Sequence, residues 1–276
     1  MGFRFCVLLV MALGASPLSV AQDAAQSDLT DATVFQATSP VPGPVPPKKE
    51  IYWKGWKLFV PNLVRHQKRI WLFPVSVAKG QHLTPTLAVA GLTAGLVALD
   101  PSSGRYFQRT QSFDGFNRAF SGPNTALGMG LFPVAFYAVS LARRDTYAQK
   151  TFLLAGEAVL TSEILTSVMK DTTRRLNPGV VPPNGDFSDT WFKKEQGSWV
   201  RGIGSFPSGH TIAAFSIATV FAERYPNPRW HRWLAYGLAS LVGFSRVSLE
   251  SHFPSDVFLG AALGHVIAQD IVRRAP

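Results

Sequence analysis

Phe206-Pro-Ser-Gly-His-Thr-Ile-Ala-Ala-Phe-Ser-Ile-Ala-Thr-Val-Phe-Ala222 reads as a turn that becomes a helix. Ser208 is a natural N-cap, and Gly209 has no side chain to keep a ligand from the backbone. The N–H groups of Gly209 and His210 then face outward from a helix N-terminus, where an anion is favoured. Behind them, Thr211–Ala222 carries no charge at all. Five more apolar stretches surround this one: Leu83–Leu99, Thr125–Ala142, Phe152–Met169, Trp233–Phe244 and Val257–Ala268. Several exceed the usual strand length, so the pattern predicts an all-α protein, a six-helix bundle. Asp100-Pro101, Arg143-Arg-Asp145 and Tyr225-Pro-Asn-Pro228 read as the stops and turns between helices. The first three stretches are marginally long enough to cross a bilayer, and the last three are of a length that suits core helices better. Glu157 and Glu163 lie within the third stretch, where hydrocarbon would make each costly.

Composition limits the function classes. Of 276 residues 46% are hydrophobic and only 16% charged, against about 25% charged in an ordinary domain. Disordered, coiled-coil and disulfide-stapled chains are excluded; an apolar soluble bundle and a chain that touches membrane remain. The net charge of +10 points to anionic partners such as phosphate esters, nucleic acid or acidic lipid. No nucleic-acid reading module is recognisable, and the basic residues form dispersed doublets.

The N-terminal region reads as export machinery. Arg4, the apolar run Cys6–Ala15 and the small-residue pattern Ser19-Val-Ala21 predict a signal peptide over 1–21. Removing it removes Cys6, the only cysteine, and with it thiol catalysis and cysteine-ligated zinc. Residues 22–50, with Ser39-Pro-Val-Pro-Gly-Pro-Val-Pro-Pro47, read as a flexible tether. Residues 51–80 mix aromatics with bases and predict an amphipathic lead-in, packed on the domain or lying on a headgroup layer. Six full crossings after an exported N-terminus would leave Lys170 onward in the cytoplasm. The expectation is therefore an exported bundle, in the periplasm or cell envelope, that meets the membrane at most partly.

Three motifs carry chemistry. Lys170-Asp-Thr-Thr-Arg-Arg-Leu-Asn-Pro178 closes the third apolar stretch, and on a helix Lys170, Arg174 and Asn177 share a face. The Ser208–His210 turn opens the fourth. Ser245-Arg246, five residues, then His252-Phe-Pro-Ser-Asp256 join the fifth and sixth. Pro254 suits the first turn of the last helix, and Asp256 can reach back to His252, fixing its tautomer and leaving the other ring nitrogen as a nucleophile. In an up-and-down bundle both junctions lie at the same end. Several cations, a helix N-terminus and two histidines then suit a tetrahedral oxyanion and phosphoryl transfer through histidine.

These motifs resemble the type 2 phosphatidic acid phosphatase superfamily, which includes bacterial class A acid phosphatases and vanadium haloperoxidases. Its pattern is K-x6-R-P, P-S-G-H and S-R-x5-H-x3-D on a helical bundle. The resemblance implies that His252 attacks phosphorus, Asp256 orients it and His210 protonates the leaving oxygen. Lys170, Ser208, Gly209 and Arg246 would hold phosphate oxygens. The chain departs from the family where Asn177 replaces the motif arginine, an amide that can donate a hydrogen bond but brings no charge. Arg174 and Arg175 are the candidate substitutes, Arg174 by helical angle and Arg175, which we prefer, if the helix unwinds before Pro178.

No metal or other cofactor is implied, since the cationic clamp supplies the charge that a divalent ion supplies elsewhere. The expected function is a metal-independent phosphatase of phosphate monoesters or lipid diphosphates, with membrane lipid as a second partner. Its rivals are a vanadate-dependent haloperoxidase and an inactive module that grips anionic lipid. The connection 177–206, with Trp191-Phe-Lys-Lys194 and Trp199-Val-Arg201, is expected to form the rim of the site or an irregular solvated loop. His66, His82, His231 and His265 are read as structural or surface residues.

Overall fold

A computed structural model describes residues 53–193 and 204–275, with side chains from 56 onward. The expected signal peptide and tether lie outside the described residues, as do Lys194 and Trp199-Val-Arg201 of the connection. Among the described residues the chain is all-helical. Its eight α-helices are α1 (Trp53–Ala78), α2 (Leu83–Arg109), α3 (Asp114–Ala119), α4 (Gly122–Ala142), α5 (Thr146–Thr173), α6 (Gly209–Arg224), α7 (Trp230–Ser248) and α8 (Pro254–Arg274), with a 3-10 turn at Pro178–Val180. The expected count of six is thus exceeded: each apolar stretch lies in one helix, and α1 and α3 are additional.

Two boundaries differ from expectation for identifiable reasons. Asp100-Pro101 does not end α2, which runs on to Arg109. A proline forfeits one backbone hydrogen bond, and here Asp100 is anchored by tertiary contacts that hold the helix through the interruption. The last three helices extend past their apolar runs into polar flanks, because partners for those flanks are supplied by neighbouring helices. Arg224, for example, donates from Nε to the Thr151 hydroxyl at 3.1 Å, and Gln269 donates to the Glu223 carboxylate at 3.3 Å. Arg143–Asp145 and Tyr225–Pro228 do interrupt the helices as expected.

The core forms around α6, whose residues from Thr211 to Val220 are buried except for Ile217. A helix apolar on every side needs neighbours on every side, and α5, α7 and α8 supply them. The α6–α8 contact is backbone to backbone. A Cβ at Gly260 would meet the Ser208 carbonyl oxygen at 2.8 Å, and one at Gly264 would collide with that of Ile212. These two glycines, one helical turn apart, bring the start of α8 against the start of α6.

The outer helices expose apolar faces. α1 turns its polar residues inward: Asn62 donates to Glu157 (3.0 Å), Gln67 to the Thr161 carbonyl (2.9 Å), and Arg69 pairs with Asp270 (2.6 Å). Val60 and Val64 are each 63% exposed. The lead-in therefore packs on the bundle through its polar side and presents an apolar side outward, the reverse of a water-facing helix. α2, α4, Thr146–Val180 and α8 are long and apolar enough to cross a membrane. α8 joins this set although its apolar run alone suggested a core helix, while α6 and α7 do not. The molecule has the character of a membrane-associated protein.

Gly264→Val should cost about 1–3 kcal/mol through forced separation of α6 from α8, read by denaturant unfolding in mild detergent. Gly91→Ala, at a helical glycine with open space around it, should be neutral or stabilise by up to about 1 kcal/mol.

Candidate active site

Backbone hydrogen bonds tie the three motifs into one structure. The Ser205 N–H donates to the Arg175 carbonyl (2.9 Å) and the Ser208 N–H to the Asp256 carbonyl (3.0 Å). Asn177 Nδ2 donates to the Ser251 carbonyl at 2.6 Å, and the Gly179 N–H to that of Glu250 at 2.8 Å. The loop before His252 is thereby pinned to the end of the first motif.

His252 is nearly buried, and its Nδ1 lies 2.7 Å from the Ser205 carbonyl oxygen. A carbonyl only accepts, so Nδ1 carries the proton and Nε2 keeps its lone pair. Asp256 lies further away, its Oδ2 at 3.6 Å from Nδ1. Sequence reasoning gave the tautomer-fixing role to Asp256, whereas the geometry gives that hydrogen bond to the Ser205 backbone. Asp256 instead accepts from the Phe253 N–H (2.8 Å) and from Arg175 (2.6 Å).

Arg175 differs most from expectation. Helix α5 ends at Arg174, which adopts a left-handed conformation, and the chain then turns inward. The Arg175 guanidinium is 1% exposed and binds Asp256, Asp100 (2.6 Å), Ser255 (2.7 Å) and Thr190 (3.4 Å). Its faces stack on Trp191 and Phe253, with centroids at 4.3 and 4.1 Å. Asp100 also accepts from the Ser255 hydroxyl and from its N–H at 3.2 Å. So committed, Arg175 has no free fork for a phosphate. It is a brace behind His252, and Trp191, expected on a rim, is part of that brace. Arg174 donates from Nε to the Asp171 carbonyl. Asn177, considered a phosphate ligand, holds the Ser251 carbonyl instead.

The other expected residues converge. Ser208 sits at the N-cap of α6 but makes no side-chain cap; its Oγ accepts from the Thr211 hydroxyl at 2.9 Å. The first turn of α6 is thus not covered by its own capping residue. A Cβ at Gly209 would lie 3.7 Å from Lys170 Nζ, so the lysine stands beside that turn. Arg246 is buried and held by the Ser245 hydroxyl (2.9 Å), the Thr125 hydroxyl (3.0 Å) and the Phe120 carbonyl. A Cβ at Gly122 would lie 3.7 Å from its Nη1. His210 also hydrogen-bonds to the Gly122 backbone. The junction of α3 and α4 is therefore a wall of the site that no motif announced. Sequence reasoning also missed the Ser205 carbonyl, which no side-chain pattern reports, and Asp100, which it read as a helix stop.

Electrostatics separate the two histidines. Burial first, then the charges of Arg246, His252 and Lys170, lowers the His210 pKa to about 4. Lys170 and Arg246 act on His210, while the Asp256 carboxylate lies beside the Nδ1 edge of His252. Two cations, a helix N-terminus and an imidazole whose Nδ1 is hydrogen-bonded to a carbonyl form a set of groups chemically suited to an oxyanion.

The PAP2 superfamily profile matches residues 151–274. The chain is 38% identical over 79 residues to the lipid A 1-phosphatase of Porphyromonas gingivalis, covering 26% of this chain and 18% of that protein. It is 24% identical over 147 residues to the lipid A 4′-phosphatase of the same organism, covering 52% and 59%. The chain thus spans less than two thirds of the length of these curated relatives. A crystal structure of the transmembrane PAP2 type phosphatidylglycerolphosphate phosphatase from Bacillus subtilis is 22% identical, with a TM-score of 0.44, over 68% of this chain and 94% of that one.

Arg175→Met would leave Asp100 and Asp256 buried without their cation, and unfolding should become easier by about 3–5 kcal/mol. Between pH 6.5 and 4 the unfolded chain takes up a proton that native His210 does not. Stability is therefore fully present above about pH 6.5 and should fall as pH drops towards 4, as followed by unfolding against pH with His210→Gln as the reference.

Proposed function

We propose, from the match of residues 151–274 to the PAP2 superfamily, that this chain is a membrane-associated phosphatase of lipid phosphate monoesters that works without a metal through a phosphohistidine. One observation carries the reading: the Nδ1–H of His252 is engaged by the Ser205 carbonyl, so Nε2 is a free nucleophile at the mouth of a cationic cradle. The two P. gingivalis relatives are phosphatases of lipid A, which supports a phosphorylated glycolipid as the substrate class. The exposed apolar faces of α1, α2 and α4 support a substrate that stays in the bilayer.

In this reading Lys170, Arg246 and the N–H groups of Gly209 and His210 hold the non-bridging phosphate oxygens, with Ser208 shaping the turn. Nε2 of His252 attacks phosphorus as the bond to the ester oxygen breaks. Positive charge develops on the imidazole and is offset by Asp256. His210 gives its proton to the departing oxygen, then takes one from the water that cleaves the phosphohistidine. With a pKa of about 4, His210 must gain basicity when substrate arrives. Burial is the larger cause of the low value; a phosphate dianion offsets the lesser one, the charges of Arg246 and Lys170.

Purified enzyme in excess chelator should release phosphate from a lipid phosphomonoester, and His252→Ala and His210→Ala should each lower kcat by about 10²–10⁴-fold. Turnover persisting in His252→Ala would rule out the covalent route. NMR titration of His210 should show its pKa moving upward when inorganic phosphate is added; an unchanged value would remove it as the general acid.

A further inference from the structure

Two helical turns before Lys170, Glu163 reaches the same cradle from α5. A Cβ at Gly209 would stand 3.5 Å from both of its carboxylate oxygens and 3.7 Å from Lys170 Nζ. The carboxylate therefore lies beside the first turn of α6, among the groups assigned to phosphate. Its environment differs from that of Glu157 on the same helix, whose Oε1 accepts from Asn62 at 3.0 Å and whose Oε2 lies 3.5 Å from His66. Among the described residues Glu163 accepts no hydrogen bond, and Lys170 is the cation that attracts it, from beyond ion-pair distance. A half-buried carboxylate lacking such partners is disfavoured by desolvation. In a site that binds anions it also opposes the ligand.

That opposition has a use in turnover. Lys170, Arg246 and a helix N-terminus all attract the released phosphate as strongly as the ester that preceded it. A fixed negative charge a few ångströms from the bound oxyanion weakens both, and so limits how long product stays. With phosphate gone, the same carboxylate partly compensates Lys170 and the positive end of α6. We propose that Glu163 is an affinity-limiting residue of the phosphate cradle, a built-in counter-anion at Lys170 and the α6 N-terminus that speeds release of orthophosphate. The proposal rests on the phosphatase reading above.

The sign of one measurement separates this role from a structural one. A residue that merely positioned Lys170 would, on neutralisation, loosen the grip on phosphate. The proposed role demands the reverse. Binding of inorganic phosphate to the intact chain in detergent micelles would be followed by ³¹P NMR or calorimetry, beside product inhibition of ester hydrolysis. Glu163→Gln should bind phosphate about tenfold more tightly than wild type, by loss of a like-charge contact, and its KM and kcat should fall together. Glu163→Asp keeps the charge and should remain within about threefold of wild type, so a folding defect in the glutamine variant would not leave the question open. Phosphate binding unchanged or weaker in folded Glu163→Gln, or tightened equally in Glu163→Asp, would overturn the inference while leaving the phosphatase reading intact. Wild-type protein that neither binds phosphate nor hydrolyses an ester would overturn both.

Discussion

A guanidinium removed from water must be met on every side, and the placement of Arg175 follows from that demand. Asp100 from α2, Asp256 and Ser255 from α8, and Thr190 from the connecting segment take its donors, while Trp191 and Phe253 cover its faces. None of these groups is near another in sequence except around 253–256 and 190–191. Two carboxylates and one arginine buried together are stable only when all three are present. The network therefore makes the closure of α2 and the connecting segment onto α8 close to all-or-none. It also fixes where Asp256 stands, and so the field that His252 experiences.

In front of that brace the site is held by main chain. Ser205 donates its N–H to Arg175 and accepts from His252 through its carbonyl, so one residue joins the first motif to the histidine of the third. A backbone group cannot be lost by substitution. Asp256 lies beside the imidazole, Lys170 beside the first turn of α6, and Arg246 beside Gly122.

Much of this arrangement was legible in the chain. The uncharged run after Gly209, the stop at Arg143–Asp145 and the spacing from Arg246 to Asp256 identify helices and the ends that meet. Arg175 was legible as important but not in its role. Lys170, Arg174 and Asn177 line up only if the helix continues, and it ends at Arg174, which turns Arg175 towards two aspartates that sequence gave no reason to pair. Asp100 read as a breaker because a following proline normally ends a helix, and its distant partners were invisible. The Phe120–Thr125 wall contributes carbonyls, a hydroxyl and backbone at Gly122, chemistry that any residues of suitable size supply. Helices α6–α8 outrun their apolar stretches because flanking polar groups such as Arg224 and Gln269 find partners on neighbouring helices, which the chain alone does not report.

The glycine seam between α6 and α8 sets how the molecule can accommodate different ligands. Where main chain rests on main chain there are no rotamers to adjust, so the turn bearing His210 and the turn bearing His252 behave as a single rigid block. Accommodation of a larger or differently shaped headgroup then falls to the α3–α4 junction, which touches that block through Arg246 and His210. Variation among descendants of this scaffold should accumulate there, with the seam itself left nearly untouched.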